Sequence, residues 1–296
     1  MESITLEALC DHSVNVGSQI NLVQASGGNT SWKNGSNIWV KASGKRLKDA
    51  HIENIFSQLK IDTITDFEVL NSDTFDKYCL GDLMPSIELN FHLLIKNSIV
   101  THLHSFGAIA LGISVLSDDE ISYFESQGIV FVSYARPGVE LVKKINQSLG
   151  NGSSIFLLEN HGVIFSSESF LDLERNISNF ERIVHNFFSN KSPQVEYPDW
   201  IKIITSGVLT PDEGVFLGFA PFQNTLDNNE NTIEISSMGE VIFPKKITKD
   251  RLELAKFYIG ISKFLSKKVQ IRYLPQKEVL ELLDWDREKL RIEMAR

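Results

Sequence analysis

The segment Ile99-Val100-Thr101-His102-Leu103-His104 constrains the fold of this chain more than any other stretch. Its β-branched and apolar residues predict a buried strand, and residues i and i+2 of a strand project from the same face. His102 and His104 therefore point in one direction, which suits two imidazoles on one metal ion. The alternative is a chance pair in which each ring is satisfied by a backbone partner. Either way, the fold must contain a sheet with a strand buried in its core.

A third histidine, His161, follows another apolar run. Ile155-Phe156-Leu157-Leu158 predicts a second buried strand, and His161 comes directly after it in Asn160-His161-Gly162. Ligand sites in α/β proteins gather at strand ends. Three histidines would leave one coordination position open, as in catalytic zinc sites, whereas structural zinc sites are closed by four ligands and favour cysteine. The sequence therefore predicts an open, catalytic metal site.

Charge and cysteine usage exclude several classes of protein. A net charge of −9 opposes a broad nucleic-acid surface, which needs clustered Lys and Arg. Cys10 and Cys79 lie far apart, so we expect reduced thiols rather than a disulfide framework. The N-terminus lacks the features of a signal peptide, and no apolar stretch is long enough to span a bilayer. We expect a cytoplasmic protein that binds a small molecule, not nucleic acid or a membrane.

Apolar periodicity predicts strands and helices that alternate along the chain, which is α/β organisation. Strands are predicted at 38–41, 67–70, 99–104, 129–133 and 154–158, with a hairpin at 232–243. Helices are predicted at 2–23, 49–59, from Pro85 onward, and at 108–116, 138–149, 168–188, 248–266 and 275–294. The polar stretch 190–194 contains Pro193 and predicts a boundary. We therefore expect a metal-binding catalytic domain at 1–190 and a C-terminal α+β extension at 191–296.

Five motifs, in this order and spacing, resemble those of the class II aldolase/adducin family. They are Gly27-Gly28-Asn29-Thr30-Ser31, Lys41-Ala42-Ser43-Gly44, Pro85-Ser86-Ile87-Glu88 with His92, His102-Leu103-His104-Ser105 and Asn160-His161-Gly162. The resemblance covers residues 1 to about 190 and implies a three-layer α/β/α sandwich with a mixed, largely antiparallel sheet. The region after residue 200, including Leu209-Thr210-Pro211-Asp212, more weakly resembles the tail of larger bacterial members related to rhamnulose-phosphate aldolase.

The resemblance also implies roles for individual residues. It makes His102, His104 and His161 the ligands of Zn²⁺, although such a site also accepts Mn²⁺, Co²⁺ or Fe²⁺. It makes Glu88 the catalytic carboxylate that moves a proton on carbon while the metal acts as a Lewis acid. Without the histidines, Glu88 would be an ordinary acidic residue complementing a helix N-terminus. For His92, packing or support of the site is expected rather than metal ligation.

Five further residues are matched to the family's grip on the substrate phosphate. Glycine-rich backbone, hydroxyl groups and a helix start suit a phosphate monoester, although a tight turn would explain a glycine pair equally well. The implied phosphate-binding residues are Gly28, Asn29, Ser43, Gly44 and Ser86. Lys45 departs from the small or uncharged residue expected after Ser43-Gly44, and it could contact an additional acidic group of the substrate.

Tyr134, in Val132-Ser133-Tyr134-Ala135-Arg136-Pro137-Gly138, is similar to a segment that carries a catalytic tyrosine in family aldolases. In those enzymes the tyrosine reaches the active site of a neighbouring subunit, so the resemblance implies a homo-oligomer, with a fourfold homotetramer as precedent. A phenol near the metal could protonate a developing alkoxide. The alternative is an interface or core tyrosine whose hydroxyl is satisfied elsewhere.

The activity that the resemblance implies is reversible aldol cleavage of a phosphorylated ketose, yielding dihydroxyacetone phosphate and an aldehyde. The same scaffold also supports sugar-phosphate 4-epimerisation and decarboxylation of a 3-keto acid sugar. A different class of function is a non-catalytic assembly module like the adducin head. Retention of the three histidines and Glu88 speaks against that last alternative.

Overall fold

The structure is a computed structural model. It describes residues 5–72, 74–150, 152–219, 221–223, 232–286, 288, 289 and 293. Within this part of the chain, no helix has both the length and the apolar character that a membrane crossing requires.

A seven-stranded sheet forms the centre of the molecule. Its strands are β1 (Asn29–Asn34), β2 (Asn37–Lys41), β3 (Phe56–Lys60), β4 (Ile99–Leu103), β5 (Ile129–Val132), β6 (Ile155–Leu158) and β7 (Gly162–Ser167). They lie in the order β3-β2-β1-β4-β7-β6-β5, and every neighbouring pair is antiparallel except β5 and β6. The predicted mixed, largely antiparallel sheet is thereby confirmed.

Helices cover both faces of this sheet. On one face lie α1 (Leu6–Gly17), α4 (Phe106–Gly112), α5 (Asp118–Ser126) and α7 (Phe170–Ser189). On the other face lie α2 (Asp66–Asn71), α3 (Leu89–Leu94) and α6 (Val139–Ser148). Phe165 of β7 packs against Phe180 of α7. The preceding residue of the strand, Ile164, belongs instead to the apolar cluster that contains Leu141 of α6. This alternation of a strand's side chains confirms the three-layer arrangement.

The C-terminal region adds three helices and a small sheet. The helices are α8 (Trp200–Thr205), α9 (Lys249–Leu265) and α10 (Gln276–Asp284), and a π-helical turn spans Glu213–Leu217. The sheet contains β8 (Phe222–Gln223), β9 (Ile233–Ile235) and β10 (Val241–Ile242), in the order β10-β9-β8. Val241 pairs with Ile235 in antiparallel register, which confirms the predicted hairpin.

Helix α9 packs onto the same apolar cluster as α4 and α7. The ring of Phe106 meets that of Phe257 at 6.0 Å between centroids, and Phe188 meets Phe264 at 5.9 Å. Buried residues of the C-terminal region and of the sheet therefore share one core. The boundary at residue 190 stays a prediction.

Two predicted elements are wrong. The helix expected at 49–59 is a short 3-10 turn, Leu47–Asp49, followed by strand β3, because pairing with β2 outweighs local propensity there. The strand expected at 67–70 lies in α2, which starts with a complete capping box. Thr65 accepts from the backbone N–H of Glu68, and the Glu68 carboxylate accepts from the backbone N–H of Thr65.

The helix expected from Pro85 onward begins later, at Leu89. Ala42 and Pro85 form an isolated bridge, and the backbone N–H of Ser86 donates to Lys41 O. The segment before α3 is thus tied to the end of β2 and cannot adopt helical geometry. Glu88 becomes the residue that flanks the helix start, which directs its side chain towards the sheet.

Candidate metal centre

The three histidines converge because of strand pairing at the centre of the sheet. His102 lies on β4, His104 directly follows it, and His161 lies in the tight turn between β6 and β7. Strand β7 pairs with β4, with Leu103 opposite Val163, so the β6–β7 turn meets the end of β4. One ligand atom from each of the three buried histidines lies within 4.8 Å of the other two. The structure therefore brings together the three residues that the sequence analysis predicted as ligands.

The two ring nitrogens of His102 face different partners. His102 Nδ1 lies 3.0 Å from Val163 O, so the proton belongs on Nδ1 and the lone pair on Nε2. His102 Nε2 in turn lies 3.0 Å from His104 Nε2. Burial lowers the pKa of His102 to about 3, and the neutral ring is the form that binds metal. These residues fit one divalent ion with room for a further ligand.

Glu88 extends this centre with a carboxylate. Its Oε1 lies 3.1 Å from His161 Nε2, and its Oε2 lies 3.6 Å from His102 Nε2. Burial opposes ionisation of this carboxyl, but the surrounding imidazoles outweigh it and hold the pKa of Glu88 well below its usual range. A carboxylate beside three candidate metal ligands is chemically able to move a proton or to approach a metal ion held by them.

A chain of hydrogen bonds fixes the orientation of Glu88. Asn29 lies opposite His102 in the β1–β4 register, and its Nδ2 donates to Glu88 Oε2 at 2.8 Å. Asn29 Oδ1 accepts from His92 Nε2, and His92 Nδ1 then accepts from Ser31 Oγ at 2.7 Å. Burial keeps the pKa of His92 well below its usual value, so the neutral ring has only one N–H to give. The amide of Asn29 is therefore held with its donor towards Glu88.

A narrow cleft with a volume of about 20 Å³ lies beside the histidines, and it is lined by two glycine-containing loops, 26–29 and 43–44. Gly28 and Gly44 both line the cleft and have positive φ, +61° and +73°, a conformation that glycine adopts readily. The predicted phosphate-binding residues Gly28, Asn29, Ser43, Gly44 and Ser86 all line it, together with Glu88, His104 and His161. The structure thus places the predicted phosphate-binding residues, His104 and His161 around one cleft.

Lys41 is a residue of this cleft to which the sequence analysis gave no role. Its side chain is buried, and its Nζ donates to Ser26 O at 2.6 Å and to Lys45 O at 2.8 Å, which joins the two loops. The signal in the sequence was a lysine at the end of an apolar strand, immediately before Ala42-Ser43-Gly44. Lys45 itself pairs with Glu53 at 2.5 Å.

Helix α9 holds the same loops from outside the cleft. Glu253 Oε1 accepts from the backbone N–H of Ala25 at 2.8 Å, and Arg46 Nη2 donates to both carboxylate oxygens of Asp250 at 2.6 and 2.7 Å. Ala25 has a φ of +50°, an unusual conformation for a residue with a Cβ, so this hydrogen bond stabilises a strained loop start. Neither contact was foreseen, because each joins residues more than two hundred positions apart.

Asp212 is the second residue missed at this site. It comes from the C-terminal region, is buried, and places Oδ2 at 3.0 Å from His104 Nδ1. The sequence analysis had quoted Leu209-Thr210-Pro211-Asp212 only as a weak resemblance, and nothing in that motif indicates which side chain it meets. The fold alone reveals this contact.

Tyr134 does not line the cleft. Its hydroxyl donates to Glu278 Oε1 of α10 at 3.2 Å, and Arg136 binds the same carboxylate. Burial, reinforced by the charge of Glu278, raises the pKa of Tyr134 well above its ordinary value. Within one chain, the tyrosine is therefore part of the contact between the sheet region and α10.

A family model described as the Class II Aldolase and Adducin N-terminal domain matches residues 8–186, more than half of the chain. The chain belongs to this family. The match contains the three histidines, Glu88 and both loops of the cleft. Family membership supports an enzyme, and class II aldolases typically depend on a divalent metal.

Two similar proteins show how far the similarity extends along this chain. The N-terminal class II aldolase domain of a conserved protein from Thermoplasma acidophilum superposes with a TM-score of 0.53 at 23% identity, covering 63% of this chain and 94% of that one. The uncharacterized oxidoreductase YuxG of Bacillus subtilis (strain 168) is 28% identical over 184 residues, which is 55% of this chain and 27% of that protein. This chain therefore spans about a quarter of that relative's length.

Proposed function

We propose that the chain is a metal-dependent lyase that catalyses reversible aldol cleavage of a phosphorylated ketose to dihydroxyacetone phosphate and an aldehyde. The observation that carries the proposal is the Glu88 carboxylate at 3.1 Å from His161, beside three converging histidine ligand atoms. His102, His104 and His161 would hold Zn²⁺, or Mn²⁺, Co²⁺ or Fe²⁺. A bound metal would supply Lewis-acid stabilisation of negative charge on the substrate oxygens.

Glu88 is suited to move the proton on carbon. In the direction of synthesis, its carboxylate removes a proton from the carbon next to the carbonyl of dihydroxyacetone phosphate, and that carbon then bonds to the aldehyde carbon. In the direction of cleavage the same bond breaks and its electron pair stays on the ketone fragment. The hydroxyl that becomes the aldehyde oxygen gives its proton to Glu88, and Glu88 then passes this proton to the carbon of the ketone fragment; in synthesis the proton moves the opposite way. The hydrogen bond from Asn29 keeps the carboxylate in place for both directions.

The cleft next to Glu88 is suited to the phosphate. Positive φ at Gly28 and Gly44 leaves the backbone open to a ligand, and the hydroxyls of Ser43 and Ser86 lie along the same wall. The buried Lys41 side chain donates to the backbone of both loops and so holds this wall of the cleft in place. These features support a phosphorylated rather than an unphosphorylated substrate.

We further propose a homotetramer in which Tyr134 reaches the site of a neighbouring subunit. The support is the resemblance of its segment to that of family aldolases. Because the Tyr134 hydroxyl donates to Glu278 within its own chain, assembly would have to exchange this hydrogen bond for one across the interface.

The test combines metal analysis with an aldol-cleavage screen over phosphorylated ketoses. We expect about one divalent ion per chain in the wild type, and loss of the ion in His161→Ala. Glu88→Gln should keep the metal but lose roughly 10²–10⁴-fold in kcat, because only the proton transfer is removed. Glu125→Gln makes the same chemical change on the exposed surface of α5 and should leave kcat unaltered.

Four other outcomes would contradict the proposal. Protein without bound metal would indicate an assembly module. Interconversion of two sugar phosphates without release of dihydroxyacetone phosphate would indicate an epimerase, and release of carbon dioxide from a 3-keto acid sugar would indicate a decarboxylase. Cleavage activity that is indifferent to Glu88→Gln would remove Glu88 from the mechanism.

A further inference from the structure

The contact between His104 and Asp212 gives the C-terminal region a direct connection to the metal centre. His104 Nε2 faces the other histidines, 3.0 Å from His102 Nε2, whereas His104 Nδ1 faces Asp212 Oδ2, also at 3.0 Å. Both side chains are 7% exposed. A neutral imidazole has one N–H, and a carboxylate can only accept. The proton of His104 therefore belongs on Nδ1, which leaves the Nε2 lone pair directed at the metal position.

We infer that Asp212 is a positioning residue, which fixes the tautomer and the rotation of the His104 ring and so makes His104 an Nε2 ligand. The inference rests on the metal site of the proposed function and adds a residue outside the matched family region. A carboxylate partner also raises the basicity of the ligating nitrogen, and losing such a partner typically weakens metal binding or activity about 10–100-fold.

The second ring of the pair has the same arrangement with a different partner. His102 uses Nδ1 to donate to the backbone carbonyl of Val163 at 3.0 Å and also presents Nε2. The sheet itself supplies the partner of His102. His104 lies beyond the end of β4, where no neighbouring strand offers a backbone carbonyl. The carboxylate of Asp212, from the C-terminal region, accepts the hydrogen bond from His104 Nδ1 instead.

The loop that carries Asp212 is anchored to the turn that carries His161. Asn160 Nδ2 donates to Leu209 O at 2.8 Å and to Arg272 O at 3.0 Å. Within the loop, Glu213 Oε2 accepts from the backbone N–H of Leu209 at 2.6 Å. The position of Asp212 is thus tied to the position of a second metal ligand, as a residue with a positioning role requires.

Gly27 provides the space for this pair of side chains. A Cβ at residue 27 would lie 3.0 Å from His104 Nδ1 and 3.2 Å from Asp212 Oδ2, closer than ordinary contacts allow. Any larger residue would push the imidazole and the carboxylate apart. The absence of a side chain at Gly27 therefore has a reason besides the turn in which it lies.

The test measures the affinity of the apoprotein for Zn²⁺, by competition with a chromophoric chelator, in the wild type, Asp212→Ala and Asp212→Asn. We expect Asp212→Ala to bind zinc about 10–100-fold more weakly. Asp212→Asn keeps an acceptor oxygen but loses the charge, so its loss should be smaller. The visible absorption of the Co²⁺-substituted protein should also change in both variants, because the ligand field depends on how His104 is held.

Asp172→Asn is the control. It makes the same chemical change at an exposed carboxylate on α7, which pairs with Arg175. Its zinc affinity should equal that of the wild type. Equal affinity of the wild type and both Asp212 variants would overturn the inference, and so would an equal loss in Asp172→Asn. If Asp212→Ala does not fold, Asp212→Asn decides alone. A wild type that binds no zinc would overturn the proposed metal site as well.

Discussion

Gly162 is a single residue that shows how tightly the candidate metal centre is packed. It opens β7 directly after His161, and a Cβ there would lie 2.5 Å from Leu103 O and 3.1 Å from carbon atoms of both His102 and His104. The backbone of β7 approaches β4 so closely because residue 162 has no side chain. The distance between His161 and the other two ligands depends on that approach.

Gly162→Ala should therefore disturb stability and metal binding together. Overpacking of this kind costs about 1–3 kcal/mol, and separating β4 from β7 should weaken zinc binding in the folded protein. Gly35→Ala is the control, because Gly35 has a positive φ of +57° but open space around its Cβ position. It should cost about 1–2 kcal/mol and leave the metal bound. Urea unfolding and metal titration measure the two effects, and unchanged zinc binding in Gly162→Ala would contradict this reasoning.

The sequence predicted those site residues whose signal is local. His102 and His104 share a strand face, and His161 directly follows an apolar run, whereas Glu88 was assigned through the family resemblance. Asp212 carried no such signal, because its role depends on a loop that returns to the sheet only through the packing of the C-terminal region. Contacts of this kind are properties of the tertiary fold and have no periodicity to detect.

Among the elements, strands and helices with long regular patterns were predicted correctly, including β4, β5, β6, α7 and α9. The errors at 49–59 and 67–70 involve short segments in which apolar residues fit either periodicity. In the second case the capping box Thr65-x-x-Glu68 was a better guide than the apolar run, since it satisfies backbone N–H groups that a helix start exposes. Short elements at the edge of the sheet are decided by partners that a local pattern does not contain.

The junction of α7 and α4 should make stability depend on pH. Glu181 of α7 accepts from Ser105 Oγ and from the backbone N–H of Gly107 at the start of α4, and burial raises its pKa from 4.5 to about 6. Because the folded pKa lies above the unfolded one, folding favours the protonated carboxyl. The contribution of Glu181 is fully present below pH 4.5 and is lost as pH rises through 6, by about 2 kcal/mol.

Glu181→Gln should remove this dependence. Urea unfolding between pH 4.5 and pH 7 should show the free energy of unfolding of the wild type falling relative to that of the variant. The same pH slope in both proteins would show that Glu181 does not titrate in this window.

In the whole molecule, the C-terminal region shares its apolar core with the helices that cover the central sheet. Leu254, Tyr258, Ile261 and Leu265 of α9 are buried in the same cluster as Ala108 of α4 and Phe180 of α7. The sequence predicted the boundary at 190 from polarity and proline, which mark where a chain is exposed and not which surfaces it covers. The extent of packing between the two regions was therefore beyond what the pattern could indicate.

A chain that ends at residue 190 should expose the apolar faces of α4 and α7. We expect it to bind a hydrophobic dye strongly, to aggregate, or to unfold without a cooperative transition, because the area that α8 and α9 cover would face water. Size-exclusion chromatography, dye binding and thermal unfolding measure this, with the full chain as reference. Cooperative unfolding of the shortened chain would instead support 1–190 as an independent domain.

The hydrogen bond from Ala25 to Glu253 also has a consequence for synthesis on the ribosome. All seven strands of the central sheet are complete by residue 167, whereas the carboxylates that hold the Ala25 loop and the His104 ring arrive only with residues 253 and 212. A nascent chain can thus form the central sheet well before the two carboxylates that hold the Ala25 loop and the His104 ring have been synthesised. The protein gains its working geometry late in translation, when the last helices dock.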